Sequence, residues 1–539
     1  MLTVSNVSVL FSAKKLFENV NLRFLPGNCY GVIGANGAGK STFLNVLSGD
    51  FDSSSGDIIL EKGLRLSVLK QDHFQYDENK IIDVVMMGFT ELYKIIDERN
   101  ALYSKAEFTE EDGYRSAQLE EDFATLNGWE AESEAEKILN GLSLEERDYQ
   151  KSMKELAGGD KVKVLLAQAL FGNPDILILD EPTNHLDFYA IKWLESFLIN
   201  FDKTVIVVSH DRHFLNNVCT HIVDIDRQEA KLYIGNYDFW RESSELAQKL
   251  LTDANTKKED KIKELEAFVA RFSANASKSS QATSRKKQLE KISVDDIKPS
   301  TRKYPFIHLP LRREIGKDVV EVENVNKSVD GVELLKNISF SVSGQEKVVF
   351  LSKNELAITA MLDLLAGDIK PDSGEVRFGL TVEKDYFPKD YSKYFDDETI
   401  NLVDWLRQYT GNEQTESYVR GFLGKMLFSG DDPLKRVKIL SGGEKMRMMF
   451  SKLMLSEANT LILDQPTNHL DLESIQSVNE ALTKYEGTLF FSSHDFSFIE
   501  SIANKIITLT PKGAHVFNGT FEEYLNDDKL KMQIEEMNK

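Results

Sequence analysis

Apolar residues in this chain come in short runs, each bounded by polar or glycine positions. CYGVI (Cys29 to Ile33), ILILD (Ile176 to Asp180) and TVIVV (Thr204 to Val208) read as strands, the second as a buried strand of a parallel sheet. A helix is expected to open after the first of them, over Thr42 to Leu47. Between about residues 86 and 130 lie two amphipathic helical patterns rich in Glu, Leu and Tyr, with a polar break near Glu107 to Gly113. They predict a helical hairpin projecting from its domain, or a solvated decoration. From Glu242 to Ile292 there is no Gly and no Pro, and charged and apolar residues alternate at helical spacing, which predicts a pair of helices. No run of about 18 apolar residues occurs, and no basic start followed by an apolar run opens the chain, so a soluble, unanchored protein is expected.

The pattern repeats. Asn6-Val7 recurs as Asn324-Val325, Gly49-Asp50 as Gly367-Asp368 and Ser55-Gly56 as Ser373-Gly374, all at an offset of 318. Further on, LAGGD at Leu156 matches LSGGE at Leu440, LILDEPTNHLD at Leu177 matches LILDQPTNHLD at Leu461, and VSHD at Val208 matches SSHD at Ser492, all at 284. The first copy therefore carries 34 extra residues between Gln71 and Leu156, and the helical pair near 86–130 is their natural place. A length of 539 residues accommodates two or three domains.

The first copy carries the chemistry. GANGAGKS, Gly34 to Ser41, satisfies the G-x-x-x-x-G-K-[ST] phosphate loop between a strand and a helix. Its glycines let backbone N–H groups turn around phosphates, Lys40 reaches the β- and γ-phosphates, and Ser41 can hold Mg²⁺. Gly34, Asn36, Gly37, Gly39, Lys40, Ser41 and Thr42 are thus the candidate nucleotide contacts. Asp180 would sit beside the Mg²⁺ through water, and Glu181 is placed to polarise the water that attacks the γ-phosphate. His210 follows a strand at the same place in both copies and could orient that water. Gln71 and Phe11 are weaker in isolation, since an exposed Gln is common and Phe11 could be core.

Charge restricts the partners. A formal net charge of −22 excludes a surface that coats nucleic acid throughout, so any such contact is local. The basic residues concentrate between Lys257 and Lys303, 13 against 7 acidic, most densely from Arg271 to Lys291. There Arg271, Lys278, Arg285, Lys286 and Lys287 stand with Asn, Ser, Gln and Thr between them, a composition suited to RNA backbone and shape recognition, or to a solubilising linker. Cys29 and Cys219 are far apart in sequence and form no CxxC, which supports neither a disulfide framework nor a zinc site and fits a reducing, cytoplasmic setting.

A glycine-rich signature about 20 residues before ILDEPTNHLD, a His about 30 residues after it, and a Gln between loop and signature make each copy resemble an ABC-type ATPase domain. Two such domains on one chain, the PTNHLD wording, a helical arm and a basic helical linker resemble the ABC-F family of ribosome-associated translation factors. The linker wording most resembles its YbiT-like bacterial members. The resemblance covers nearly the whole chain. It implies an α/β fold of two tandem P-loop ATPase domains, each a parallel-sheet core with a helical subdomain, joined by a two-helix linker. The expected divisions are 1–239 for the first domain, 240–305 for the linker, 317–525 for the second domain and 526–539 for a short tail. It further implies ATP and Mg²⁺ as ligands, with Gln71 and Asp180 beside Ser41 at the metal and Phe11 against the adenine. The implied place of action is the E site of the 70S ribosome, touching P-site tRNA and rRNA, with the chain a monomer whose two ATPase domains pair. An antibiotic-protection member of the family, the motor half of a membrane transporter, and a DNA-repair or chromosome-type ATPase are the alternatives; the last would call for zinc ligands or a long coiled coil.

The second copy has lost its phosphate loop. At an offset of 318, Gly34 becomes Ser352, Gly37 becomes Glu355, Gly39 becomes Ala357 and Lys40 becomes Ile358, while Thr359 answers Ser41. Val329 replaces Phe11, Lys389 replaces Gln71, and Gln465 replaces Glu181, an amide that cannot act as a base. Asp464 and His494 persist. In paired ABC domains the nucleotide lies between one domain's phosphate loop and the other's signature. The intact loop would then face Ser441, Gly442, Gly443 and Glu444, and the lost loop would face Ala157 and Asp160. One catalytic composite site and one non-hydrolytic site are expected.

Overall fold

The computed structural model describes residues 1–539 apart from 12–13, 71–73, 106–107, 185, 273–299, 301, 330, 412–414, 469 and 539. The chain divides into two compact units, one of residues 1–64, 201–207 and 215–301, the other of residues 65–200, 208–214 and 302–539.

In the first unit, Leu2–Phe11 pairs antiparallel with Lys14–Phe24 on one side and Ser55–Leu60 on the other. Its buried residues alternate as Leu2 and Val4, then resume at Val7 and Val9. The skipped beat is a bulge. Asn6 has φ 51 and the ladder register shifts around it, so the strand takes up one residue and returns its apolar side to the core. Gly56, at φ 84, passes so close that a Cβ there would stand 2.3 Å from the Asn6 carbonyl oxygen. The second unit repeats the device with Asn324 at φ 48 and Gly374 at φ 84, which explains why Asn6-Val7 and Ser55-Gly56 recur so plainly.

Cys29–Ile33 runs parallel to His221–Asp226, which turns back antiparallel into Glu229–Ile234. Cys29 and Cys219, remote in sequence, are buried with their sulfur atoms 3.8 Å apart as free thiols. The expected linker helix spans Tyr237–Phe272 and so begins ahead of Glu242. It starts there because Trp240 donates its indole N–H to buried Asp224 at 3.1 Å, tying the first turn to a core strand. The second expected linker helix, up to Ile292, lies outside the described residues.

The second unit holds the whole second copy. Its six-stranded sheet places Lys384–Phe387, Thr460–Asp464, Thr488–Ser492, Lys347–Leu351, Lys505–Thr510 and Gly513–Asn518 side by side, all parallel except the last. Alternate residues feed opposite cores: Val349, Leu461, Leu463, Leu489 and Phe491 on one face, and Val348, Phe350, Ile462 and Phe490 on the other. Leu66–Val68 and Ile176–Asp180 of the first copy pair in parallel in the same unit.

The arm forms the two expected helices, Thr90–Tyr103 and Glu110–Thr125. The polar break is shorter than the sequence suggests, because Thr109 and Asp112 make a reciprocal capping box that starts the second helix at Glu110. Arg99 ties the helices together: its guanidinium meets Glu120 at 2.6 Å and lies over the Phe123 and Trp129 rings. Among the described residues no helix is long and apolar enough to cross a membrane.

Candidate functional site

The glycine loop of the first unit leads from Cys29–Ile33 into the helix Lys40–Ser48. That helix starts at Lys40, because Gly39 takes φ 101 and closes the way to an earlier start. No side chain caps its first turn, so its N–H groups are left for a ligand. A Cβ at Gly37 would meet nothing within 4 Å, and one at Gly34 would stand 2.5 Å from the Ile225 carbonyl oxygen. Asn36 and Ser41 are exposed and Thr42 half-buried. Lys40 is only 8% exposed and donates to the Gly34 carbonyl at 2.8 Å. A buried ammonium, open N–H groups and glycines allowing close backbone approach fit a polyphosphate, with Ser41 available to an accompanying Mg²⁺. Phe11 ends Leu2–Phe11 opposite Lys14, and its side chain lies outside the described residues, as does all of Gln71.

The carboxylates of the first copy lie in the second unit. Ile176–Asp180 ends at Asp180, and Glu181 follows at φ 51, an unusual conformation for a non-glycine residue. Its N–H donates to the Val208 carbonyl at 2.9 Å, which fixes the turn. The structure brings Glu181 and His210 together: the His210 backbone N–H donates to one Glu181 oxygen at 3.2 Å, and its Nε2 lies 3.3 Å from the other. A carboxylate touching an imidazole in a half-buried setting can take a proton from a water placed beside both.

The two signatures differ at their helix starts. Ser441 caps Gly442–Ser456 by accepting from the Glu444 N–H at 3.3 Å, while Glu444 accepts from the Ser441 N–H at 2.8 Å. The Ser441 hydroxyl also bonds the Glu444 carboxylate, and Ser441 and Gly442 are exposed. Ala157, its counterpart, gives Gly158–Leu170 no side-chain cap, and Asp160 pairs with Lys163 at 3.0 Å.

In the second copy the loop itself has changed shape. The helix spans Glu355–Ala366, so it begins at the counterpart of Gly37 and covers the stretch that is loop in the first copy. Asn354, the counterpart of Asn36, accepts from the Leu356 N–H at 3.0 Å and caps it. Thr359 donates directly to Asp464 at 2.8 Å, and Ser492 donates to the other Asp464 oxygen at 2.6 Å. Burial raises the Asp464 carboxyl against those two hydrogen bonds. Gln465 keeps the left-handed turn, φ 50, and its amide lies 2.8 Å from His494 Nε2. His494 Nε2 also stands 2.9 Å from Glu355 Oε1, and Lys389 donates to Glu355 Oε2 at 2.6 Å.

Sequence reasoning marked Glu355 and Lys389 as losses without pairing them; opposite charges at the Gly37 and Gln71 equivalents were the available signal. It also missed Asp211 and Asp495, equivalent residues of the two SHD motifs; desolvation raises both carboxyls, and the charge of Asp495 raises Asp211 further. Around them Arg212 donates to the Leu472 carbonyl at 3.0 Å and the Gln476 side chain at 3.2 Å, and His213 stacks on Phe496. Of the candidate RNA contacts, Arg271 belongs to Tyr237–Phe272, and Lys278, Arg285, Lys286 and Lys287 lie outside the described residues.

A family model described as ABC transporter matches residues 17–184 and 335–468, and an extension model of the same description matches 223–309. The uncharacterized ABC transporter ATP-binding protein YkpA of Bacillus subtilis is 56% identical, over 100% of this chain and 99% of that protein. The probable ATP-binding protein YbiT of Escherichia coli O157:H7 is 44% identical, over 98% and 100%. The energy-dependent translational throttle protein EttA of Escherichia coli O6:H1 is 33% identical, over 95% and 92%. Among solved structures, the archaeal ribosome recycling factor aABCE1, in complex with stalk protein aP1, aligns with a TM-score of 0.64 at 18% identity, over 98% of this chain and 92% of that one, a likeness of fold. With two ABC cassettes on one chain and relatives that match it end to end, the protein belongs to the ABC-F family of ATP-binding proteins.

Proposed function

We propose that the chain is an ATP-hydrolysing translation factor that binds the E site of the 70S ribosome and acts on P-site tRNA and rRNA through its linker. The observation that carries the catalytic half is the Glu181–His210 pair in the copy that also keeps an open glycine loop. In this reading Lys40, with Gly34, Asn36, Gly37, Gly39 and Thr42, holds the phosphates, Phe11 stacks on adenine, and Ser41, Asp180 and Gln71 hold Mg²⁺. Glu181 takes the proton of the attacking water, His210 orients it, and Ser441, Gly442, Gly443 and Glu444 close on the γ-phosphate from the other copy. The second composite site is non-hydrolytic. The domains follow as 1–239, a linker of 240–305 and 317–525, with a tail of 526–539.

The ribosomal half is supported by EttA, a relative whose name states a translational role, and by the basic run from Arg271 to Lys287. Co-sedimentation tests it. Glu181→Gln protein with ATP is expected to pellet with 70S ribosomes, and reversing charge at Arg285, Lys286 and Lys287 is expected to release it. Failure to pellet even with hydrolysis blocked overturns the ribosomal reading. Nucleotide stoichiometry tests the catalytic half: one tightly held ATP per chain is expected, and two overturn it.

A further inference from the structure

In the first copy the anionic partner of the strand-end histidine is Glu181, 3.3 Å from His210. In the second that partner has moved. Position 465 is a neutral amide, and the carboxylate facing His494 comes instead from the loop, as Glu355 at 2.9 Å. The opposite oxygen of Glu355 receives Lys389, which stands where Gln71 stands in the first copy. A glutamate at 465 beside Glu355 would put two carboxylates on one imidazole, so the two substitutions conserve charge at that histidine. Glu355 is also the first residue of its helix, where a negative charge meets the positive end of the backbone dipoles.

Burial opposes ionisation of Glu355, but the hydrogen bond and charge of His494, with those of Lys389, outweigh it and hold the carboxyl well below the usual range. The side chains at the His210 and Gln71 positions of this copy, His494 and Lys389, are therefore both turned onto Glu355, and the Thr359–Asp464 hydrogen bond joins the two residues that would otherwise flank a metal. We propose that Glu355 is a built-in anion: it fills the second phosphate cradle and keeps phosphate ligands out of it. This deepens the one-site reading above, yet its test needs neither ribosomes nor turnover.

The full chain carrying Lys40→Ala, which silences the first loop, is titrated calorimetrically with inorganic pyrophosphate, alone and with Glu355→Ala added. Removing the carboxylate is expected to raise pyrophosphate affinity roughly tenfold or more, the size of one charge-assisted contact, and Lys389→Ala in the same chain is expected to reverse the gain. If Glu355→Ala fails to fold, Glu355→Gln, of the same shape, carries the same expectation. The proposal is overturned if neither Glu355 variant binds pyrophosphate more tightly than the Lys40→Ala parent, or if the gain survives loss of Lys389. Loss of ribosome binding would leave this result untouched, and two ATP per wild-type chain would overturn the one-site reading separately.

Discussion

Ser352 to Ile358 and Gly34 to Lys40 begin at the end of equivalent strands and enter equivalent helices, yet one is helix where the other is loop. Two glycines account for much of the difference. Each glycine in a helix interior costs about 1 kcal/mol relative to alanine, so Gly37 and Gly39 together oppose upstream growth of the helix by roughly 2 kcal/mol. With Glu355 and Ala357 in their places that opposition is gone, Asn354 supplies a cap, and the helix starts at Glu355. A phosphate loop is in this sense a helix start held open. Its loss here produces an ordered, capped and charge-paired helix end.

The largest effect that could break this contrast is on turnover. Glu181→Gln is expected to lower phosphate release by about 10²–10⁴-fold while ATP stays bound, the usual contribution of a general base. Gln465→Glu, the reverse change in the second copy, is expected to leave the rate within about twofold, because Ile358 stands at the phosphate-loop lysine and no glycine loop accompanies it. Steady-state phosphate release measures both. A gain of turnover in Gln465→Glu would show that the second cradle still admits nucleotide.

The next effect sharpens the role of the glycines. Gly39→Ala forces a Cβ into φ 101 and places it 3.3 Å from the Leu16 Cβ, so the loop must shift. Affinity for a non-hydrolysable ATP analogue is expected to fall roughly tenfold or more, the equivalent of one to two kcal/mol of backbone strain. Ala357→Gly is expected to cost about 1 kcal/mol of stability in urea unfolding and to leave nucleotide binding alone. Equal binding effects from the two variants would mean that both loops hold nucleotide.

These features were legible to different depths. Spacing alone exposed the repeat, the strands and the arm, because period and motif are local; even the bulge pair Asn6 and Gly56 left its trace as recurring dipeptides. The losses at 355, 357, 358 and 465 were equally visible. What local reading could not show was where the surviving charges went. Glu355, Lys389 and His494 are separated by tens of residues, and their meeting depends on how the sheet orders its strands. Cys29 beside Cys219 is the same kind of omission, since Gly31 lets that segment lie against the Cys219 sulfur only once the fold is formed. The exact start of a helix, at Lys40, Glu110 or Tyr237, followed from a cap or an anchoring contact that periodicity does not encode.

The two copies also meet through their SHD motifs, and acidity provides a handle on that contact. Burial, then the charge of Asp495, raises the Asp211 carboxyl above its ordinary 3.8, with Glu195 adding to it. Arg212 and His213 act the other way on Asp495, which burial raises nonetheless. Above about 3.8 the unfolded chain gives up this proton before the folded chain does. Stability from this site is therefore greatest at acid pH and is lost as pH rises toward the folded value, by about 1.4 kcal/mol for each pH unit that separates the two titrations. Asp211→Asn is expected to flatten the dependence of the guanidinium midpoint above about pH 4 and to raise that midpoint at neutral pH. A steeper dependence in the variant would mean that the pair is stabilised as anions by Arg212.

The smallest contrast lies in the signatures. Ser441 accepts from the Glu444 N–H and is matched by an uncapped Ala157 at the start of Gly158–Leu170. Ser441→Ala is expected to cost about 1 kcal/mol of stability from the lost cap, and Ala157→Ser to restore a similar amount by reaching the Asp160 N–H. The Ser441 change is expected to lower turnover as well, since it removes an exposed hydroxyl that the Ala157 helix start lacks. Unfolding midpoints and phosphate release on the same two variants separate the effects. If Ala157→Ser also raises turnover, the signature of the first copy takes part in a live site, and the difference between the copies reduces to the phosphate loops alone.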